Sequence, residues 1–231
     1  DTENFPYGEK THEEIVKCVL SITDRIIKSF NPRIIVIACN TMSVNTLDVL
    51  REVFPDTQFV GTVPAIKLAA SVSKKRRIGL MATKATVENP YNIDLKNHFA
   101  ADCELILRSD AELISFIERE SFTATKEECV KAVLPAVNFF KEKGCDAMIL
   151  GCTHFLNLRD LIQEVAGDEL KVVDSKDGVV KRALSILNSL PGHKVEMGKP
   201  KLFVTWLSEK EKSEYDVICS RYNLEWGGML N

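Results

Sequence analysis

Two stretches decide the fold: Ile34-Ile35-Val36-Ile37-Ala38-Cys39-Asn40-Thr41 and Ala147-Met148-Ile149-Leu150-Gly151-Cys152-Thr153-His154. Each is an aliphatic run, then one small residue, then cysteine, then short polar side chains. An aliphatic run without alternation reads as a strand buried on both faces, the habit of parallel sheets. The small residue permits a tight turn, so each cysteine stands just past the carboxyl end of its strand. Helical segments follow at 44–54 and 155–166. Each sulfur is thereby expected near a helix N-terminus, where unpaired N–H groups favour an anion and lower a thiol pKa. Strand ends of open α/β sheets are also where ligands bind. Two such thiols point to a site with a sulfur on each side of a substrate.

Working outward, the chain alternates strands and helices. Thr11 and Glu14 form a capping box that opens a helix over 11–30, with Ile15, Val19, Ile22 and Ile26 as its apolar stripe. Strands are expected at 33–38, 58–60, 78–82, 103–107, 147–150, 171–173 and 201–205. Further helices are expected at 64–73, with Pro64 in the first turn, and at 110–119, capped by Asp110. Another runs over 125–143, with a Thr125/Glu128 capping box and a kink at Pro135. The remaining two cover 175–190, capped by Asp174-Ser175, and 209–222. The segment 85–99 reads as weakly helical around Asn89-Pro90. Pro191-Gly192 breaks the chain, and 226–228 reads as irregular. The αβαβα order of the first part implies a parallel sheet.

The 231 residues are 45% hydrophobic, enough for the core of one large or two small domains. A net charge of −3 gives no global sign of a nucleic-acid partner. The basic run Lys74-Lys75-Arg76-Arg77 lacks interleaved aromatic residues and reads as a solvated turn. No apolar run reaches transmembrane length and no signal-peptide pattern appears, so no membrane partner is expected. The seven cysteines are an odd number, several of them inside expected elements. That favours free thiols in a reducing compartment, the cytoplasm, over a disulfide framework.

Cys18, Cys103, Cys129, Cys145 and Cys219 read as small buried hydrophobes. Cys39 and Cys152 differ, because hydrogen-bonding residues follow them at once. A dithiol redox pair calls for Cys-x-x-Cys, which is absent. Zinc could take Cys152 and His154, yet no further close Cys/His pair completes a set. A cysteine hydrolase leaves the second cysteine unexplained. Two-base proton transfer uses both, one on each face of a carbon, and a thiol pKa can be tuned to serve as base or acid. Pro6-Tyr7-Gly8 reads as a plain turn or as a segment whose backbone and Tyr7 hydroxyl line the site. Thr83 and Thr86, at another strand end, read as helix caps or as carboxylate-binding hydroxyls.

These residues resemble the glutamate racemases of the aspartate/glutamate racemase superfamily. The resemblance rests on Ala38-Cys39-Asn40-Thr41 and Gly151-Cys152-Thr153-His154 with Pro6-Tyr7-Gly8 upstream. It continues through Val63-Pro64-Ala65-Ile66-Lys67, 82–87 and Val173-Asp174-Ser175, in order over nearly the whole chain. It implies a cofactor-independent isomerase interconverting L- and D-glutamate for peptidoglycan synthesis, with no metal. A racemase for aspartate or another acidic amino acid, and a non-catalytic binding relative, are the alternatives.

By resemblance, Cys39 and Cys152 are the catalytic thiols, Cys39 acting on D-glutamate and Cys152 on L-glutamate, with His154 assisting the second. Pro6, Tyr7, Gly8, Asn40, Thr41, Thr83, Thr86 and Thr153 are the substrate-binding residues. Met42 and Phe155-Leu156-Asn157 depart from the family's usual choices. The expected fold is α/β, with two pseudo-symmetric lobes, each a mainly parallel sheet flanked by helices, and the site in the cleft between them. Residues 1–62 with 174–231 would form the first lobe and 63–173 the second, in a homodimer. The family begins with a strand ending in Asp-Ser-Gly that has no counterpart here. A longer parent chain is therefore expected, and an unpaired edge on strand 33–38.

Overall fold

The computed structural model describes residues 1–121, 123–191 and 198–230. Helix α1 (His12–Phe30) opens with the expected capping box: the Thr11 hydroxyl accepts from Glu14 N–H, and the Glu14 carboxylate accepts from Thr11 N–H. Asn31, in the left-handed region at φ 45°, ends it. Strand β1 (Ile34–Ile37) then runs to Cys39, and α2 (Asn40–Val53) starts immediately after the sulfur, earlier than the sequence pattern indicated. The polar residues Asn40, Thr41 and Ser43 mask the apolar period there, yet all three are buried. Strand β2 (Gln58–Gly61) pairs with β1 in parallel. Ser43 ties helix to sheet, donating to Ile37 O at 3.1 Å and accepting from Thr62 N–H at 2.9 Å. Among the described residues β1 pairs with β2 alone, and Val36 is 39% exposed.

Next come α3 (Ile66–Val72), β3 (Arg77–Ala82), α4 (Lys84–Val87), α5 (Tyr91–Phe99), β4 (Glu104–Ser109), α6 (Ala111–Arg119), α7 (Lys126–Glu142) and β5 (Ala147–Leu150). A 3-10 turn (Thr153–Leu158), α8 (Arg159–Ala166) and β6 (Lys171–Val173) follow. The four strands form one parallel sheet in the order β4-β3-β5-β6. Both faces are buried, as the unbroken aliphatic runs required. Met81, Met148 and Leu150 pack with Ile117, Val137 and Phe140 on one side, while Ile78, Leu80 and Ile149 pack with Ile66 and Ala69 on the other. The weakly helical 85–99 segment is two helices, because Asn89-Pro90 interrupts the backbone ladder. The 155–166 segment likewise divides between the 3-10 turn and α8.

The chain then returns through α9 (Lys176–Ser189), β7 (Lys201–Val204), α10 (Glu209–Tyr222) and β8 (Glu225–Met229). Asp174, not Ser175, supplies the polar cap of α9, accepting from Lys176 N–H at 2.9 Å. Gly192, half of the expected Pro191-Gly192 break, lies outside the described residues. The tail at 226–228, expected to be irregular, is strand: β8 pairs with β7 in parallel, with a register shift between Leu202 and Phe203. Glycine weakens a strand reading, but at Gly227 it allows a close approach to the neighbouring strand's side chain. A Cβ on Gly227 would lie 2.6 Å from the Phe203 ring. The β1–β2 and β7–β8 pairs are separate two-stranded sheets.

Candidate active site

The two cysteine devices are geometric copies. Cys39 caps α2 with φ −146° and ψ 124°, and Cys152 caps the 3-10 turn with φ −136° and ψ 135°. An extended residue between strand and helix aims its side chain across the strand ends. Cys39 is half-buried and Cys152 is buried. Burial holds the Cys39 thiol above its ordinary pKa, and the charge of Cys152 adds to the rise. The N–H groups of Met42 and Thr41, with the Thr41 hydroxyl, pull the other way. The expected lowering by a helix N-terminus is therefore present at Cys39 but outweighed by desolvation. Cys39 and Cys152, far apart in sequence, lie within electrostatic reach of each other.

The second thiol has a relay behind it. Cys152 Sγ lies 3.3 Å from His154 Nδ1, and His154 Nε2 lies 2.6 Å from Glu118 Oε1. Burial draws the imidazolium pKa down, but the hydrogen bonds and charges of Cys152 and Glu118 outweigh it and push it up to about 10. The two acidic partners thus favour the charged imidazolium over the neutral ring. Glu118 was not singled out from the sequence. It sits near the end of α6 beside Ile117, and a carboxylate at the border of an apolar stripe has the pattern of any solvated helix face. Only the packing of α6 on the 3-10 turn brings it to His154.

Three threonines close the other side. Thr41 Oγ1 lies 2.9 Å from Thr83 Oγ1 and 3.1 Å from Thr86 Oγ1, and Thr83 donates to Thr86 Oγ1 at 3.0 Å. Thr83 also caps α4, accepting from Thr86 N–H at 3.2 Å, so the cap reading holds for it. Thr86 is wholly buried behind the other two. Pro6-Tyr7-Gly8 reaches the same place: a Cβ on Gly8 would stand 3.0 Å from Thr83 Cβ, so a larger residue would push the loop and the threonine apart. Pro6 is exposed, whereas Tyr7 is buried and donates to the Asp1 carboxylate. Burial, then the charges of Cys18 and Cys39, hold the Tyr7 phenol above its ordinary pKa, which puts it near the first thiol. Thr153 follows Cys152 and is half-buried. Asn40 is 3% exposed, and its Oδ1 has no hydrogen-bond partner, an unmet acceptor directly beside Cys39.

The remaining sequence candidates fall elsewhere. Among the described residues no group of three His, Cys, Asp or Glu side chains could hold a metal, and no helix is long and apolar enough to cross a membrane. The basic run is engaged locally: Arg76 pairs with Asp102 at 2.6 Å and Arg77 with Glu104 at 2.7 Å. Cys103, Cys129, Cys145 and Cys219 are buried, and Cys18 donates to Asn4 Oδ1 at 3.2 Å. Two cavities of about 650 Å³ each contain neither Cys39 nor Cys152; one lies against Asn92 and β4, the other between Arg51, Lys67 and Arg182. The site is defined by its chemistry rather than by cavity size.

Comparison with known proteins identifies the family and the fold. The family model described as Asp/Glu/Hydantoin racemase matches residues 1–183. The glutamate racemase of Treponema pallidum (strain Nichols) is 36% identical over 232 residues, covering 100% of this chain and 85% of that protein. The glutamate racemase of Proteus mirabilis is 37% identical over 217 residues, covering 93% of this chain and 74% of that protein. The crystal structure of Escherichia coli glutamate racemase with L-glutamate and the activator UDP-MurNAc-Ala superposes with a TM-score of 0.84 at 29% identity. That match covers 98% of this chain and 84% of the E. coli chain. The Aquifex pyrophilus glutamate racemase shares the two-lobe fold at TM-score 0.70 and 24% identity, covering 100% of this chain and 86% of its own. The chain belongs to the aspartate/glutamate/hydantoin racemase family.

Proposed function

We propose that this chain is a glutamate racemase in which Cys39 and Cys152 are the two acid/base groups, supplying D-glutamate for peptidoglycan synthesis. The observation that carries the reading is the pair of matching strand-end thiols, with the charge of Cys152 among the causes that raise the Cys39 pKa. In one direction a thiolate takes the α-proton and the opposite thiol delivers a proton to the other face of the carbon. The product leaves with the two sulfurs' protonation states exchanged. In this assignment Cys152 takes the proton of L-glutamate and Cys39 that of D-glutamate. The cationic His154, held by Glu118, is the positive partner for a Cys152 thiolate.

The α-proton is weakly acidic, so donors must face the developing negative charge. Thr83, Thr153 and the N–H groups at the two helix starts are assigned to the substrate carboxylates. Thr41 and Thr86 hold Thr83 in place. Pro6, Tyr7 and Gly8 wall the site. The unmet group on Asn40 is an acceptor, so it suits the substrate's α-ammonium better than a carboxylate. Residues 1–62 with 174–231 are read as the first lobe and 63–173 as the second. A homodimer and a cytoplasmic location complete the reading; seven cysteines without a disulfide among the described residues fit a reducing compartment.

The test is incubation of L-glutamate with the enzyme in D₂O without added pyridoxal phosphate. D-glutamate carrying deuterium at the α-carbon is expected, and Cys39→Ser or Cys152→Ser should each cut turnover by at least about a hundredfold. An absolute need for pyridoxal phosphate overturns the mechanism. Faster turnover of L-aspartate overturns the substrate, and absence of exchange with either amino acid favours a non-catalytic relative.

A further inference from the structure

Phe5 is 44% exposed, although it sits in a leading loop that is pinned along its length. Trp206 N–H donates to Thr2 Oγ1 at 2.8 Å, Glu3 N–H donates to Thr205 Oγ1 at 2.9 Å, Tyr7 is buried, and Gly8 abuts Thr83. The ring is therefore placed by its loop rather than by burial in the core. It meets His154, with ring centroids 6.0 Å apart and planes tilted by 46°. Both His154 nitrogens are already engaged, Nδ1 with Cys152 and Nε2 with Glu118.

We propose that Phe5 is a positioning residue that closes the solvent side of the Cys152–His154–Glu118 relay and so keeps His154 charged during turnover. An aromatic ring within about 6 Å of a cation attracts it through the ring quadrupole, most strongly where water is excluded. Excluding water also strengthens the attraction of His154 to the two acidic groups that face it, Cys152 on its own turn and Glu118 on α6. Burial alone would lower the imidazolium pKa, and the net rise to about 10 comes from those two partners. Water admitted to the pair weakens the partners and moves the group back toward its ordinary value near 6.5. The effect on turnover rests on the two-thiol reading; the effect on His154 does not.

The experiment is NMR titration of isotopically labelled histidine in the wild type, Phe5→Ala and Phe5→Tyr, alongside kcat in both directions. The protein has four histidines, so assignment by a His154→Gln control is simple. Phe5→Ala should lower the His154 midpoint by about one unit and kcat by about tenfold. Phe5→Tyr, which restores the ring, should recover both. Thermal unfolding should show all variants folded, because the substituted side chain is half exposed. An unchanged midpoint, a shifted midpoint with unchanged kcat, or a Tyr variant that behaves like Ala overturns the proposal. The midpoint needs no turnover, so a failure of the two-thiol reading is seen separately, as normal exchange by Cys39→Ser or Cys152→Ser.

Discussion

Glu118 Oε1 stands 2.6 Å from His154 Nε2, joining the end of α6 to the turn that bears the second thiol. Because the folded-state pKa of His154 is raised, the pair's stabilisation is fully present below the ordinary histidine value. It is lost as pH rises from about 6.5 through about 10. Glu118→Gln should therefore destabilise the protein by about 1–2 kcal/mol at pH 7, with both side chains more than two-thirds buried. Thermal unfolding of both proteins across this range should show the gap closing at the alkaline end. A gap that stays constant with pH would show that the pair does not carry the charge assigned to it.

Thr41→Val removes the hydroxyl that bonds both Thr83 and Thr86 and helps a Cys39 thiolate. Burial already raises the Cys39 thiol, and losing this donor should raise it further. The pH midpoint for iodoacetamide labelling of Cys39, followed by peptide mass, should move upward. Stability should drop by about 1–3 kcal/mol, the cost of leaving buried hydroxyls less well paired. Labelling at an unchanged midpoint would separate Thr41 from Cys39.

Gly8→Ala places a methyl group 3.0 Å from Thr83 Cβ and Cγ2. Loop and threonine must part by a few tenths of an ångström, which displaces the Thr83 hydroxyl, proposed above to bind substrate, without opening the core. KM for glutamate should rise several-fold while the melting temperature changes little. A wild-type KM would show that this contact has slack.

Gly79→Ala tests the sheet core instead. Its Cβ would fall 2.4 Å from Phe140 Cδ1, on the central strand β3, where Phe140 is wholly buried. Overpacking at such a site costs about 1–3 kcal/mol. A lower melting temperature is expected, with kcat retained in the fraction that stays folded. An unchanged melting temperature would mean that α7 can shift freely off the sheet.

The sequence by itself determined the parallel α/β architecture, because its evidence is local. Aliphatic runs such as 147–150, the capping boxes at Thr11 and Thr125, and the two strand-end cysteines each express their meaning within a few residues. The tertiary structure decided what depends on partners distant in the chain. Glu118 becomes the support of His154 only when α6 packs on the 3-10 turn, and Thr41 meets Thr83 across forty-two residues of sequence. The tail at 226–228 is strand through its pairing with β7, where Gly227 passes close over the Phe203 ring. Cys39's pKa likewise follows from its burial and from Cys152, neither of which the helix start beside it reveals. Backbone preference and hydrophobic period act between near neighbours, whereas charge pairing, desolvation and close packing are set by whatever the fold brings alongside.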